Sequence, residues 1–442
     1  MSPIPRSARN AGLCTAVTAA LLAGCAGAAL EARPEQIPAL EQAATESPRD
    51  TDTATRLGIA YFMAGRHEDA RRTLSAAVDA GATDGAAYLY LGLANEELED
   101  FEAARAAYDS YLRTGTSSRV KGEIRGRLAL VARKELQQQA RLALQQERVL
   151  SDQPPTPRTI AVLPFRISGL GEELQPLQTA LADMIITDLG LSNALQSLER
   201  VRVQSLIDEM VLTQAGFTTQ ETGARMGRML KAEHVVQGSI TGAGSEIIVG
   251  ATVLGTESRQ TRGEVSQSGV VDAIFDIEKR VVFGILDALN VQLTASEREA
   301  ITNNRTSNLV AFLTYGRGLQ ALDRGDYNEA MSQFRQASAA DPGFGAARAQ
   351  QVEAQQISDA SATTPDQVGA VGIVEISPTG ADLSMDIVNQ VNFSPAATLS
   401  QQTQAVTAQV RKPTTEATNT SSLGQAQTAV IRIIITPPGG GN

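Results

Sequence analysis

The sequence predicts an α+β multidomain protein with α-helical hairpins, a compact α/β sandwich and a partly disordered C-terminal tail. Three observations lead to this prediction. A pattern of large residues, glycine and small residues recurs after 34 residues early in the chain. The apolar spacing changes from helical to strand-like after a proline-rich linker at residues 151–158. Residues 358–442 are rich in Thr, Gln, Ser and Ala, a composition typical of partial disorder.

The first 24 residues have the layout of a secretory signal, because Arg6 and Arg9 precede a short apolar stretch that ends at Cys25. The four residues ending there, Leu-Ala-Gly-Cys, resemble the lipobox of bacterial lipoproteins. The resemblance implies cleavage before Cys25 and acylation of its thiol and its new amino group. Ala26 follows, which by the usual sorting rule implies the outer membrane. The alternatives are an ordinary signal peptide and an apolar first helix.

The acidic balance of the chain bears on its partners. The formal net charge is −11 and no basic block occurs, so nucleic acid and anionic lipid surfaces are not expected partners. No later stretch is apolar and long enough for a membrane-spanning helix, so the acyl chains on Cys25 are the predicted membrane contact. Residues 25–48 are predicted to be a tether between this anchor and the first folded part.

Cysteine and histidine, which often carry catalysis or bind metals, are scarce, with two of each. The two cysteines are Cys14, which is removed with the signal, and Cys25, so neither a disulfide nor a thiol ligand is expected. His67 and His234 are isolated. Adjacent acids such as Glu96 and Glu97 are predicted to lie on solvated faces. We therefore predict no catalytic residues, no metal site and no cofactor, and a protein that is not an enzyme.

Residues 49–116 are predicted to form two helical hairpins. Four residues recur 34 positions later: Leu57, Gly58, Ala70 and Leu74 become Leu91, Gly92, Ala104 and Tyr108. This pattern resembles the tetratricopeptide repeat (TPR), where glycine and a small residue let antiparallel helices approach closely. Residues 305–357 contain a third copy with Gly318 and Phe334, followed by a capping helix. Since about three repeats are needed for stability, a long helix over residues 117–150 is predicted to complete the first pair.

Residues 159–300 are predicted to form a mixed domain of strands and helices. Strands are expected at residues 159–165, 235–240, 247–254 and 263–269. Amphipathic helices are expected at residues 174–189, 206–212, 222–230 and 274–289. In the tail, three short apolar runs at residues 371–376, 385–393 and 430–435 are candidate strands.

The anchors of this mixed domain resemble a known family. The strand from Ile160 to Phe165, the run Leu198-Glu199-Arg200, and the segment Val-Val-Gln-Gly-Ser-Ile that ends at Ile240 resemble the periplasmic domain of CsgG-type curli-secretion lipoproteins. Related envelope lipoproteins include the FlgO type and the penicillin-binding-protein activators. The resemblance implies a domain that associates with other envelope proteins.

CsgG-type channels insert β-hairpins of this domain into the outer membrane. A spanning strand needs ~9–11 alternating residues, so each hairpin requires about twenty or more. Residues 238–273 have room only for about three short strands with polar turns. The sequence therefore predicts that pore-forming hairpins are absent.

These features together predict an outer-membrane lipoprotein facing the periplasm. It would act as a scaffold or accessory factor in cell-envelope assembly or in export of a surface polymer, through TPR-mediated binding of envelope or secretion proteins. Tyr61, Tyr88 and Asn95 are candidate partner contacts, and the alternative for the two tyrosines is packing. A homo-oligomer is left open. The alternative functions are an oligomeric secretion-channel subunit and an activator of a cell-wall synthase.

Overall fold

The structure, a computed structural model, describes residues 32–211, 220–243, 246–304 and 306–372. The predicted signal and its lipidation site Cys25 lie outside these residues, as do the tail residues from 373 onward. No helix in the described ranges combines the length and the apolar character that a bilayer crossing needs.

The first part of the described chain is helical. Its helices are α1 (Ile37–Glu46), α2 (Thr51–Met63), α3 (His67–Asp79), α4 (Gly85–Glu97), α5 (Phe101–Thr114), α6 (Ser118–Gln145) and α7 (Glu147–Ser151). Short polar residues accept hydrogen bonds from free N–H groups at four of the helix starts: Asp50, Asp84, Asp100 and Ser117. Helix α1 lies within the predicted tether, which is thus wrong for residues 37–46. Its apolar residues Ile37 and Leu40 are buried, and they have a helical spacing.

The repeated glycines hold paired helices close together. A methyl group on Gly58 of α2 would lie 2.5 Å from Cγ of Leu74 in α3. A methyl group on Gly92 of α4 would lie 2.4 Å from Cδ1 of Tyr108 in α5. In both pairs the large residue follows the glycine by 16 positions, so the residues that recur after 34 positions form the same direct contact in each repeat.

The central part forms one sheet with helices on both faces. Its elements are β1 (Thr156–Val162), β2 (Arg166–Ser168), α8 (Leu177–Leu189), β3 (Gln196–Ser197), α9 (Arg200–Val211), α10 (Gln220–Leu230), β4 (Ala232–Ala243), β5 (Glu246–Gly255), β6 (Thr261–Val270) and α11 (Ile274–Ala288). The strand order is β3-β1-β4-β5-β6, and β2 also pairs with β4. Strand β1 pairs in parallel with both β3 and β4, and β2 pairs in parallel with β4. Strands β4, β5 and β6 form an antiparallel meander.

Alternating residues of the sheet direct apolar side chains to its two faces. On one face, Val236 and Val249 pack with α8 and α11 in the main core. On the other face, Ala161 and Val235 form a second core with α9, α10 and the end of α6. Strands β2 and β3 were not predicted, because two or three residues are too few to show an alternating pattern.

The last described helices are α12 (Ala295–Asn303), α13 (Leu309–Asp323), α14 (Tyr327–Ala340), α15 (Gly345–Ser361) and α16 (Pro365–Gly372). Helices α13 and α14 form the downstream hairpin, in which Gly318 lies against Phe334. Helix α15 extends to Ser361 and α16 follows it, so the prediction that residues 358–442 are a tail with short strands is wrong for residues 358–372. Residues 371 and 372, the described part of the candidate strand at 371–376, are the last two residues of α16.

Helices α6 and α15 connect the two groups of repeats. Helix α6 packs on α5, α15 packs on α14, and the two long helices pack on each other. At their crossing, a methyl group on Gly126 would lie 3.0 Å from Cβ of Ala360. The repeats that are separate in sequence therefore belong to one continuous array of packed helices.

The downstream hairpin is fixed to the α/β domain by buried charges. The Nη1 atom of Arg200 contacts both carboxylate oxygens of Asp323 at 2.7 and 2.8 Å, and its Nε lies 3.3 Å from Oδ1 of Asp183. The hydroxyl of Tyr315 donates to Oδ2 of Asp183 at 2.7 Å. Burial opposes the charge on Arg200, but the two carboxylates raise the pKa of its guanidinium overall. The four residues come from α8, α9 and α13, so the charges join three elements.

Candidate protein-binding groove on the repeats

Helices α3, α4 and α5 border a groove of about 650 Å³. Arg71 and Arg72 come from α3, Tyr88 and Asn95 from α4, and the small residue Ala103 from α5. The small side chains of α5 leave space that larger ones would fill. The groove is therefore wide enough to take side chains of a bound segment.

Two of the three predicted contact residues meet in this groove. Tyr88 and Asn95 are seven residues apart, about two helical turns, so both face the same side of α4. Tyr88 is half-buried. Asn95 is only 3% exposed, and its Oδ1 atom accepts no hydrogen bond from the described residues. An unpaired buried carbonyl loses its hydration without compensation, so a turn of the Asn95 side chain that brought this oxygen into the groove would let it accept from a ligand N–H group.

The third predicted residue, Tyr61, lies elsewhere. It precedes Asn95 by 34 positions and so occupies the equivalent place in the first repeat. There α1 covers it: the Tyr61 hydroxyl donates to Glu41 at 2.6 Å, and the Arg66 guanidinium lies 4.2 Å from the ring centroid. Burial, and then the hydrogen bond to Glu41, raise the pKa of Tyr61 to about 12. The structure thus places Tyr61 in packing, because α1, which lies within the predicted tether, covers this position.

The rim of the groove carries charges of both signs. Arg71 is 2.7 Å from a carboxylate oxygen of Glu68 and 3.9 Å from one of Asp100. All three side chains keep 40% or more of their surface exposed. Exposed pairs of this kind contribute only about 0–1 kcal/mol, so these groups can exchange partners at little cost. Acidic and basic side chains of a ligand would both find a counter-charge here.

A buried ion pair supports α4 from the side of α6. Arg127 is 1% exposed and donates through Nε and Nη2 to Glu96, at 2.9 and 2.7 Å. The Tyr108 hydroxyl donates to the same carboxylate at 2.8 Å, and burial raises the pKa of Tyr108 well above its usual value. The prediction that Glu96 lies on a solvated face is wrong. Its partner Arg127 is 31 residues away, and no local pattern points to it.

The scarce histidines remain isolated in the fold. His67 begins α3, next to the ring of Phe62, and His234 lies in β4, where burial lowers its pKa. Within the described ranges, no three His, Cys, Asp or Glu side chains are grouped as metal ligands would be.

Two protein-family models match parts of the chain. The model of the curli production assembly/transport component CsgG matches residues 142–266, and a tetratricopeptide repeat model matches residues 37–85 and 55–118. The chain therefore contains a CsgG domain and TPR repeats, which confirms the predicted resemblances to these two families and the predicted α+β fold class.

Solved structures give weaker similarities. The C-terminal domain of LpoB from Salmonella enterica is 11% identical, with a TM-score of 0.21, over 28% of this chain and 95% of that one. Yeast Tom70 is 12% identical, with a TM-score of 0.22, over 80% of this chain and 73% of that one. Scores this low do not indicate a shared overall fold. Among curated proteins, no sequence matches the chain.

Proposed function

We propose that this protein is an outer-membrane lipoprotein, facing the periplasm, that scaffolds cell-envelope assembly or export of a surface polymer. In this proposal, protein partners bind in the groove formed by α3, α4 and α5. The CsgG domain and the TPR repeats support an envelope-related, protein-binding role. The groove carries the binding part of the proposal, because it combines a buried unpaired acceptor, a half-buried aromatic ring and exposed charges.

The groove suits a segment of a partner protein. Once the Asn95 side chain turns its buried Oδ1 toward the groove, that oxygen would accept a hydrogen bond from a backbone N–H of the segment. The ring of Tyr88 would pack against an apolar side chain, and Arg71 and Asp100 on the rim would pair with charged ones. The proposed activity is binding and involves no catalysis.

Site-specific photocrosslinking tests this role. A photoreactive amino acid replaces Tyr88 in the full chain, and the matched control replaces Glu102, which is exposed on α5 and does not line the groove. We expect position 88, and not position 102, to crosslink one envelope protein, and Asn95→Ala to weaken that crosslink. Equal labelling from both positions would contradict the proposal. A penicillin-binding protein as the partner would favour the synthase-activator alternative.

The membrane anchor is tested separately. Wild type should carry acyl chains on Cys25, detectable as added mass on the N-terminal peptide, and should fractionate with the outer membrane. Cys25→Ser should remove the acyl mass and release the protein to the soluble periplasmic fraction. An unacylated wild type in the soluble fraction would exclude the lipoprotein part of the proposal.

The CsgG match to residues 142–266 favours one second candidate, an oligomeric secretion-channel subunit. The native mass of residues 26–442 with and without detergent separates the two. A monomer or dimer whose mass is unaffected by detergent supports the scaffold. A ring of many subunits that binds detergent supports the channel.

A further inference from the structure

Helix α16 covers the side of α4 opposite the groove. Its residue Gly369 lies against Phe62 of α2 and Tyr90 of α4, and Gly372 lies against Leu89. At 3.6 residues per turn, Tyr90 points about 140–160° away from Tyr88 and Asn95, and Leu89 about 100–120° away. The C-terminal end of the described chain therefore lies on a separate face of the same repeats, formed by α2, α4 and α6.

The contact is close because α16 has glycine at two positions, three residues apart. A methyl group on Gly369 would lie 2.7 Å from Cε1 of Phe62, and one on Gly372 would lie 2.6 Å from Cδ2 of Leu89. Val368 and Val371 beside them are buried, at 1% and 6% exposure. Any larger residue at either glycine would have to displace the helix from this face.

The repeats also bind the backbone of this segment. The Tyr90 hydroxyl donates to the carbonyl oxygen of Gly369, and Nη1 of Arg127 donates to that of Thr363 at 3.0 Å. The Thr363 hydroxyl donates to Oε1 of Glu123 at 2.5 Å. Side chains of α4 and α6 thus contact backbone carbonyls at both ends of the segment. Such contacts depend little on the sequence of the bound segment.

Helix α16 has its own start signal but is short. Thr364 and Gln367 cap its first turn reciprocally, because each backbone N–H donates to the other side chain, at 2.9 and 3.3 Å. Pro365 occupies the first helical position. A helix of eight residues is nevertheless marginal in water by itself. Its helical form therefore depends on the face that it covers.

We propose that the face of α2, α4 and α6 is a second peptide-binding site, which residues 363–372 occupy in cis. Its partner is a short helical segment of another protein, with small residues three positions apart and branched apolar residues beside them. Only residues 362–364 connect α15 to α16, and short tethers give effective concentrations of about millimolar. An external segment therefore has to compete with α16, and binding is suppressed until α16 is displaced.

A peptide of residues 361–372 labelled with heavy isotopes tests this site. The native full chain is compared with a Gly369→Leu, Gly372→Leu double variant, in which α16 cannot dock while the face itself is unchanged. We expect the double variant to bind the peptide at least tenfold more tightly than the native chain, and addition of Tyr90→Phe to weaken that binding severalfold. A peptide carrying both leucines should not bind, and Ala362→Leu, at an exposed position, should behave as the native chain.

Hydrogen exchange on the native chain gives an independent test that needs no variant. Saturating labelled peptide should speed exchange of the chain's own α16 amides at least tenfold, and the mass label separates peptide fragments from chain fragments. Unchanged exchange would overturn the proposal, as would equal peptide affinity of the native chain and a folded double variant. Either failure would leave the groove on the opposite side of α4 unaffected, so the two proposals are tested separately.

Discussion

The repeat pair α2–α5 and the downstream hairpin α13–α14 are built on the same internal contact. Gly92 faces Tyr108 in the first, and Gly318 faces Phe334 in the second, with 16 positions between glycine and aromatic residue in both. Their outer surfaces differ. The downstream hairpin is packed against α8 of the CsgG domain, where Tyr315 contacts Asp183. The repeat pair keeps a groove on one side of α4.

This difference shows that the helix pairing does not decide what a repeat does. In the downstream hairpin this glycine contact belongs to a structural support, because the hairpin packs against the charged surface of α8. In the repeat pair the same contact lies beside a candidate binding groove. The neighbours of each hairpin decide its role, and they come from distant parts of the chain.

The largest predicted effect on stability comes from replacing Arg200, whose ion pairs join the downstream hairpin to the CsgG domain. The comparison is with Arg71, an exposed charge on the rim of the groove. Arg200→Met would leave Asp183 and Asp323, whose side chains are only 19% and 12% exposed, without their cation, so we expect a loss of about 3 kcal/mol in the free energy of unfolding. The matched change Arg71→Met, on the groove rim, should cost about 0–1 kcal/mol. Urea denaturation measures both, and similar losses would refute the contrast between the two regions.

Replacement of Gly316, where α13 lies against Pro176, should have a smaller effect on the free energy of unfolding. A methyl group on Gly316 of α13 would lie 2.9 Å from Cβ of Pro176 and closer still to its carbonyl oxygen. We expect Gly316→Ala to cost about 1–3 kcal/mol, because the backbone has to move. Gly122→Ala on α6 is the control, since nothing lies within 4 Å of that position. It should be neutral or stabilise by up to about 1 kcal/mol. In thermal melts, Gly316→Ala should lower the melting temperature, and Gly122→Ala should leave it unchanged or raise it.

The α/β domain should have a pH dependence that the groove lacks. Glu278 of α11 is 1% exposed, and burial, followed by the nearby Asp188, raises its pKa well above 4.5. The folded state therefore holds this proton at a pH where the unfolded state has released it. Stability from this group is fully present below about pH 4.5 and is lost as the pH rises through the higher folded value.

Glu278→Gln keeps the shape of the protonated side chain and cannot ionise. We expect its melting temperature to fall less than that of wild type as the pH is raised from acid to neutral. Glu68→Gln on the groove rim is the control, because its side chain is 64% exposed, and its curve should follow wild type. Parallel curves for Glu278→Gln and wild type would contradict the buried-proton explanation.

The smallest expected effect on stability is at the groove floor. Asn95→Ala removes an amide oxygen that has no partner among the described residues, so little stabilising interaction is lost. We expect a change below about 1 kcal/mol in chemical denaturation. The equivalent change in the first repeat, Tyr61→Ala, should cost more, because Tyr61 packs against α1 and donates to Glu41. The reverse order would mean that Asn95 has a structural role.

Part of the missed structure did have a signal in the sequence. The run Thr364-Pro-Asp-Gln367 is a helix start of the capping-box type. It lies inside residues 358–442, for which the composition predicts a low-complexity tail. Ile37 and Leu40 likewise have a helical spacing inside the presumed tether. The buried partner of Glu96 had no such signal, because Arg127 is on another helix.

The sequence by itself determined the helical hairpins, the strand meander and the domain types. The hairpins and strands follow from apolar spacings of 2 and 3–4 residues and from a recurrence after 34 residues, which reflect local geometry wherever the segment lies, and the domain types follow from resemblance to known families. Only the tertiary structure decided that α6 and α15 join the separated repeats, that Asn95 borders a groove while its equivalent Tyr61 is covered, and that α16 lies on α4. Those outcomes depend on contacts such as Tyr90 with Gly369, between residues 279 positions apart, and no local pattern encodes which distant surfaces meet.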